Sequence, residues 1–313
     1  MVDVKDMPYP LLTEFLAALE QEAPLYSGHV RKCAEQRPHL VYPLAERMLG
    51  WARPQLGEPW VEPLINGYLA FVTDVNRSQA AYEKRGRYEF ANYAEVFKQT
   101  YSDPEFMRDY HWGVYVTTFA WEHHVSILEQ FRQLFLEPLA SGERPGRMLD
   151  LGCGSGIWSI LSLERLDGWT STMVDISETS VEFTGRMLAS AGLVCRTDLQ
   201  CRDALEFSDT DPFDAAVSFF LLEHLETPER LLQTLSRNLR PGAPAFVTTA
   251  LTAAEVDHIY EFRRESEIVR LAEDAGFRVV STLSATPAGE RGTNRFLPRS
   301  MALQLVKRRG EFW

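Results

Sequence analysis

The chain has 313 residues, 45% hydrophobic and 24% charged, with a formal net charge of −12. That length and composition suffice for a core of ordinary size without disulfide or metal staples. The negative balance repels phosphate backbones and anionic lipid faces, so neither nucleic acid nor membrane is an expected partner.

The opening MVDVKDMPYP lacks the charged start and apolar run of a signal peptide. No segment approaches the roughly 18 apolar residues of a membrane span. Cys33, Cys153, Cys195 and Cys201 follow no CxxC or metal-ligand spacing and read as reduced thiols in a cytoplasmic protein. Leu12, Phe15, Leu16 and Leu19 recur at helical steps, and Val114, Phe119, Val125, Ile127, Leu128 and Phe131 do so with drift. Pro24, Pro38, Pro43, Pro54, Pro59, Pro63 and Pro104 are expected to cut this half into short helices.

SGERPG, Ser141 to Gly146, marks a boundary between a helical domain over 1–140 and an α/β domain over 141–313. Downstream the strand RMLDLG is followed by the helix IWSILSLERL, the strand TSTMVD and the helix SVEFTGRMLASAG. Two strands come next, TDLQCRD and FDAAVSFF, then the helix PERLLQTLSRNL and the strand PAFVTTA. The helix ESEIVRLAEDAG precedes the last strands, FRVVSTL and SMALQLVKR. This alternation predicts a doubly wound, mostly parallel sheet with helices on both faces. The last two strands have no helix between them and are expected to pair antiparallel. Arg291, Arg295, Arg299, Lys307, Arg308 and Arg309, the nearest thing to a basic patch, read as polar positions along loop and strand.

LDLGCGSG, Leu149 to Gly156, joins the first strand to its helix. Gly152, Gly154 and Gly156 allow a tight bend and close approach of backbone to a ligand. The GxGxG spacing departs from the GxGxxG of nicotinamide enzymes, which makes a dehydrogenase the weaker reading. Asp150 would crowd a pyrophosphate but suits an ammonium group. Asp175 ends the second strand, where a carboxylate can accept from ribose hydroxyls; Asp203 ends the third, where it can accept from an adenine amine. Singly, each acid reads as a common strand-end residue. Three together on the carboxyl rim read as a ligand site.

These motifs, with VDIS, RDA, FDAAVSFFLLEHLETPERLLQTLSRNLRPGA and AGF, resemble the class I S-adenosylmethionine-dependent methyltransferase family over residues 147–308. The resemblance implies a seven-stranded sheet of order 3-2-1-4-5-7-6 with strand seven antiparallel, and S-adenosylmethionine as cofactor. It implies cofactor contacts from Asp150, Gly152, Gly154, Asp175, Ile176, Asp203, Ala204 and Phe219, and Gly156 joins them as part of the bend. Ala243 departs from the family at a turn where a second glycine is common.

His224, just beyond the fourth strand, is the candidate general base, weighed against a capping or packing role. Ser218 to Leu221 lack the Asn/Asp-Pro-Pro-aromatic motif of amide methylation. His123–His124 and Glu223–His224 are adjacent pairs whose side chains diverge by about 100° on a helix, so no metal is expected. The aromatic stretch with Tyr110, His111, Trp112, Tyr115, Phe119 and Trp121 is expected to fold over the cofactor mouth as a dry lid. Trp112, Tyr115, Phe119 and Trp121 are substrate candidates, with Tyr115 also a catalytic candidate; core packing is the alternative for each. His258, Tyr260, Arg263 and Arg264 follow the fifth strand, and Tyr260 and Arg264 are the substrate candidates among them.

The expected function is O-, N- or C-methylation of a small aromatic or apolar metabolite, in specialised metabolism. The alternative is a non-catalytic S-adenosylmethionine-binding scaffold or partner subunit. A small-molecule substrate is the expected partner, and the helical half is also a candidate homodimer surface.

Overall fold

The computed structural model describes residues 8–287 and 296–309, so Arg291 and Arg295 of the basic set lie outside the described residues. Eight helices come first: α1 (Pro10–Glu22), α2 (Pro24–Gln36), α3 (Pro38–Leu56), α4 (Val61–Arg85), α5 (Tyr93–Gln99), α6 (Pro104–Ala120), α7 (Glu122–Phe131) and α8 (Glu137–Ala140), the last two joined by a π-helical segment, Arg132–Leu136. Pro24, Pro38 and Pro104 each open a helix, where the missing N–H has no intrahelical partner to lose. The expectation that prolines keep this half in short pieces fails at α3 and α4. Pro43 and Pro54 lie inside the 19-residue α3, and α4 runs 25 residues with Pro63 in its first turn. An interior proline costs about 3 kcal/mol. The face formed by Leu40, Val41, Leu44, Met48 and Leu49 is buried, and each such side chain contributes about 1.5–3 kcal/mol, which outweighs that penalty.

The strands are β1 (Arg147–Leu151), β2 (Thr170–Asp175), β3 (Thr197–Cys201), β4 (Ala215–Ser218), β5 (Pro244–Leu251), β6 (Phe277–Ala285) and β7 (Arg299–Lys307). They form one sheet of order β3-β2-β1-β4-β5-β7-β6, as expected. β7 runs antiparallel to both β5 and β6, and the other pairings are parallel. The order reverses beside β1, where Asp150 is in register with Val217 of β4; this reversal is where such sheets open a crevice for ligands.

Four helices follow β1, β2, β4 and β5: α9 (Ile157–Arg165), α10 (Glu178–Ser190), α11 (Pro228–Asn238) and α12 (Glu265–Asp274). Leu231, Leu232 and Leu235 of α11 and Ile268 of α12 cover one face of the sheet. The other face, with α9 and α10, shares a single core with the N-terminal helices: Phe15, Leu44, Tyr115 and Phe131 belong to the same buried cluster as Met148, Ile160, Phe183 and Phe246. All four cysteines are free thiols, and among the described residues no helix is long and apolar enough to cross a membrane.

Candidate functional site

Past β1 the backbone enters the left-handed region at Gly152, Gly154 and Gly156, with φ of 76°, 53° and 71°. A Cβ added at Gly154 would meet nothing within 4 Å, because that position borders open cavity. At Gly152 it would lie 2.5 Å from Leu221, which lets the loop after β4 close over the bend. At Gly156 it would lie 2.7 Å from Thr184 of α10. Gly156 therefore seats the start of α9 against α10 and does not line the cavity, which corrects its expected role as a cofactor contact.

The three strand-end acids border the same cavity as this bend. Asp175 accepts from Gly154 N through Oδ2 and from Ser177 N through Oδ1, both at 2.9 Å, and so ties the bend to the end of β2. Each oxygen keeps acceptor capacity beyond these bonds. Asp203 Oδ1 accepts from Leu205 N at 2.8 Å. Asp150 is 2% exposed and accepts from Ser159 Oγ at 2.6 Å. Burial pushes its carboxyl up to about 7 against the opposing pull of that hydrogen bond.

A cavity of about 1070 Å³ runs over this rim. Asp150, Gly152, Gly154, Asp175, Ile176, Asp203, Ala204 and Phe219 all line it. So does Trp158, which sequence reasoning missed; its ring lies parallel to Phe219 with centroids 3.9 Å apart. Trp158 is the second residue of α9, and only the three-dimensional crossing of α9 with the end of β4 brings the pair together.

The roof comes from α2, α4 and α6, through Tyr26, Tyr68, Phe71, Tyr110 and the adjoining Trp121. The expected lid residues Trp112, Tyr115 and Phe119 are not part of it. On α6, positions 107, 110, 111, 114 and 117 face the cavity, while 112, 115, 116 and 119 form the opposite stripe and enter the core. Tyr115 is 0% exposed and donates to Met48 O at 2.8 Å. Trp112 packs edge-on against Phe183, and Phe119 against Phe15. These three are core residues, and the proposed catalytic part for Tyr115 falls with that placement.

Tyr260 and Arg264 are also absent from the cavity wall. Ile259 N and Tyr260 N both donate to Glu223 O, at 2.8 and 2.9 Å, and the turn fixed there leaves Tyr260 36% exposed beside Phe262. Arg264 stands exposed at the N-cap position of α12 without a side-chain capping bond, and Arg263 pairs with Glu261 at 2.8 Å.

His224 does face the cavity. Its Nδ1 lies 3.2 Å from Asp257 O and 3.4 Å from Tyr101 Oη. A carbonyl only accepts, so the neutral ring carries its proton on Nδ1 and its lone pair on Nε2. His123 and His124 line the same space. Burial pushes His123 down to about 3 and lowers His124 well below the usual range, so both are neutral. His111 is pushed down to about 4 and sits 3.0 Å from Ser180 Oγ.

Adjacency along one helix disfavours a metal at the paired histidines. The segments after β4 and β5, however, form two groups of ligand-bearing side chains among the described residues: Glu223 and His224 with His258 from the two segments together, and Glu255 with Asp257 and His258 from the second alone. Phe220 and Thr252, the non-glycine residues with positive φ among those described, stand just past β4 and β5, both at 50°. That conformation costs about 1–2 kcal/mol for a residue with a side chain, and it turns both chain exits over the cavity.

Residues 121–282, more than half of the chain, match the family described as "Methyltransferase domain". The chain belongs to the methyltransferase-domain family. Among curated relatives, the ubiquinone biosynthesis O-methyltransferase of Caulobacter sp. (strain K31) is 32% identical over 123 residues, covering 37% of this chain and 48% of that one. The enzyme of that name from Cupriavidus pinatubonensis (strain JMP 134 / LMG 1197) is 28% identical over 159 residues, covering 45% and 63%. The chain thus spans about half the length of the curated relatives it matches first. Solved structures similar to it include the [4+2]-cyclase SpnF, with TM-score 0.49 and 18% identity over 62% of this chain and 82% of that one. The N-methyltransferase NodS from Bradyrhizobium japonicum WM9, in complex with S-adenosyl-L-homocysteine, has TM-score 0.43 and 15% identity over 57% and 87%.

The methyl donor of this family is S-adenosylmethionine, and the bend fits it on two counts. Gly154 leaves a cradle that a Cβ would fill, and Asp150, Asp175 and Asp203 set carboxyl groups along the rim, their donors being a serine hydroxyl and backbone N–H groups. A nucleoside with an ammonium and no phosphate suits such a rim.

Proposed function

We propose that the protein transfers the methyl group of S-adenosylmethionine to a small apolar or aromatic metabolite. The observation that carries this reading is the continuity of the cavity: the glycine bend and the aromatic roof border one space. A donor at Gly154 and an acceptor under Phe71, Tyr110 and Trp121 would share it. When bound, the donor supplies an electrophilic methyl group on a sulfonium, and alignment of the acceptor supplies most of the rate.

The chain's own residues would divide the work as follows. Asp175 would take the ribose hydroxyls, Asp203 the adenine amine and Asp150 the ammonium. Ile176, Ala204 and the Trp158–Phe219 pair would enclose the apolar surface. His224, with its lone pair on Nε2, would accept a proton from an acidic acceptor group. The neutral histidines and tyrosines of the roof would exclude water. An oxygen acceptor is the first to test, because the curated relatives are named O-methyltransferases. The family match starts at residue 121, at the end of the roof, so substrate choice would belong to helices outside it. Specialised metabolism in a cytoplasmic setting is consistent with such a roof and with four free thiols.

The test is incubation with isotope-labelled donor and a metabolite extract, followed by mass analysis. Gain of one labelled methyl on a metabolite is expected. No measurable affinity for the donor or its demethylated product would end the reading.

A further inference from the structure

Beyond β5 the loop places Glu255, Asp257 and His258 together, with one donor atom of each within 4.8 Å of the others. Glu255 and His258 line the large cavity, while Glu255 and Asp257 also border a recess of about 140 Å³ beneath α4 and α6. His258 Nδ1 is 2.8 Å from Ala253 O and must donate to it, so the bare lone pair is on Nε2. That Nε2 faces Glu255 Oε2 at 3.8 Å. Asp257 is fully buried; its Oδ2 accepts from Tyr101 Oη at 3.0 Å, and its Oδ1 has no hydrogen-bond partner.

Electron pairs therefore converge here from three side chains. Among the described residues no lysine or arginine pairs with Glu255 or Asp257; their basic neighbours are the imidazole rings of His258 and His224, which carry charge only when protonated. Such a cluster is costly unless a cation completes it.

We propose that Glu255, Asp257 and His258 hold a divalent metal ion at the wall of the cavity. Two carboxylates with one imidazole suit Mn²⁺ or Zn²⁺ better than an all-oxygen cage would. The His258–Ala253 bond is the outer contact that fixes a ligating tautomer in metal sites. Three protein ligands leave coordination positions for an oxygen or nitrogen of the substrate, which the ion would anchor and make easier to deprotonate. This role deepens the methyl-transfer reading and rests on it, whereas metal uptake itself can be measured without turnover.

Mn²⁺ is titrated into chelator-treated full-length protein, and the free-ion signal is followed by electron paramagnetic resonance. One Mn²⁺ per chain is expected, with nitrogen coupling from the imidazole. Asp257→Asn and Glu255→Gln should each weaken uptake by about tenfold or more, with donor affinity by calorimetry unchanged. The half-buried position of Glu255 keeps the test decisive should the Asp257 variant misfold. No uptake at millimolar metal, uptake unchanged in both variants, or saturable binding of an alkylammonium ion without metal uptake would overturn the proposal. Loss of donor binding by the unaltered protein is a separate outcome, and it removes the methyl-transfer reading on which the substrate-anchoring role depends.

Discussion

Trp158 and Phe219 lie face to face, with ring centroids 3.9 Å apart and planes within 2°. One comes from the helix after the glycine bend and the other from just past β4, so the stack joins the two walls of the crevice at the sheet's reversal point. Phe219→Leu keeps most of the volume and removes the stack, an interaction worth about 0.5–1.5 kcal/mol. Donor affinity should fall roughly two- to tenfold. Calorimetric titration and Trp158 fluorescence would measure it, and an unchanged affinity would place the stack outside the donor's reach.

Gly154 and Gly156 have similar backbone angles and should respond differently to alanine. Gly154→Ala sets a methyl toward the cavity, so donor affinity should drop about tenfold or more, with strain of about 1–2 kcal/mol. Gly156→Ala drives a methyl into Thr184 and should lower the melting temperature more than it lowers donor affinity. Paired calorimetry and thermal melts decide this, and reversed sensitivities would show the cradle to be misplaced.

Asp150 gives a sign for pH dependence. Its carboxyl, pushed up to about 7 by burial, is mostly protonated below that value before any cation binds. Pairing with the donor's ammonium requires the ionised form, so binding at acid pH must first expel a proton. Affinity should therefore weaken by about tenfold per pH unit below 7 and level off above it. Titration calorimetry in buffers of different ionisation heat would show proton release under acid conditions. A flat profile in Asp150→Asn would assign the effect.

Tyr115 and His224 separate core from chemistry. Tyr115→Phe removes a hydrogen bond to Met48 O inside the core and should cost about 1 kcal/mol of stability with kcat unchanged. His224→Gln should lower kcat by about 10²- to 10⁴-fold with donor affinity intact. Steady-state kinetics beside denaturant unfolding distinguishes the two. A kcat loss in the Tyr115 variant would return it to the site.

The alternation of strands and helices, the antiparallel last pair and the placing of Asp150, Asp175 and Asp203 at strand ends were legible from local grammar, whereas the strand order came only from the family resemblance. Stripe choice on α6 was not legible. Tyr115 and Tyr110 are both aromatic residues of one helix, and which of them meets the cavity depends on how α6 is rotated against α3, α4 and α10. The long α3 was hidden for a related reason. Pro43 and Pro54 signal breaks locally, and only tertiary burial of the helix face overrides them. The Glu255–Asp257–His258 group spans four residues of sequence, and what singles it out, the burial of Asp257 and its direct contacts with Tyr101 and His224, depends on segments distant in sequence.

The buried cluster that links Phe15 and Leu44 to Ile160 and Phe246 has a consequence for traffic through the cavity. A cover that swings needs a seam where few apolar groups cross, and here the same oily interior continues from one part to the other. Whole-body opening would wet that interior, so molecules must come and go through small excursions near the mouth, where Leu25 is exposed. Grafting these helices onto another member of the family would carry acceptor preference with it only if the matching underside of the sheet were transplanted too.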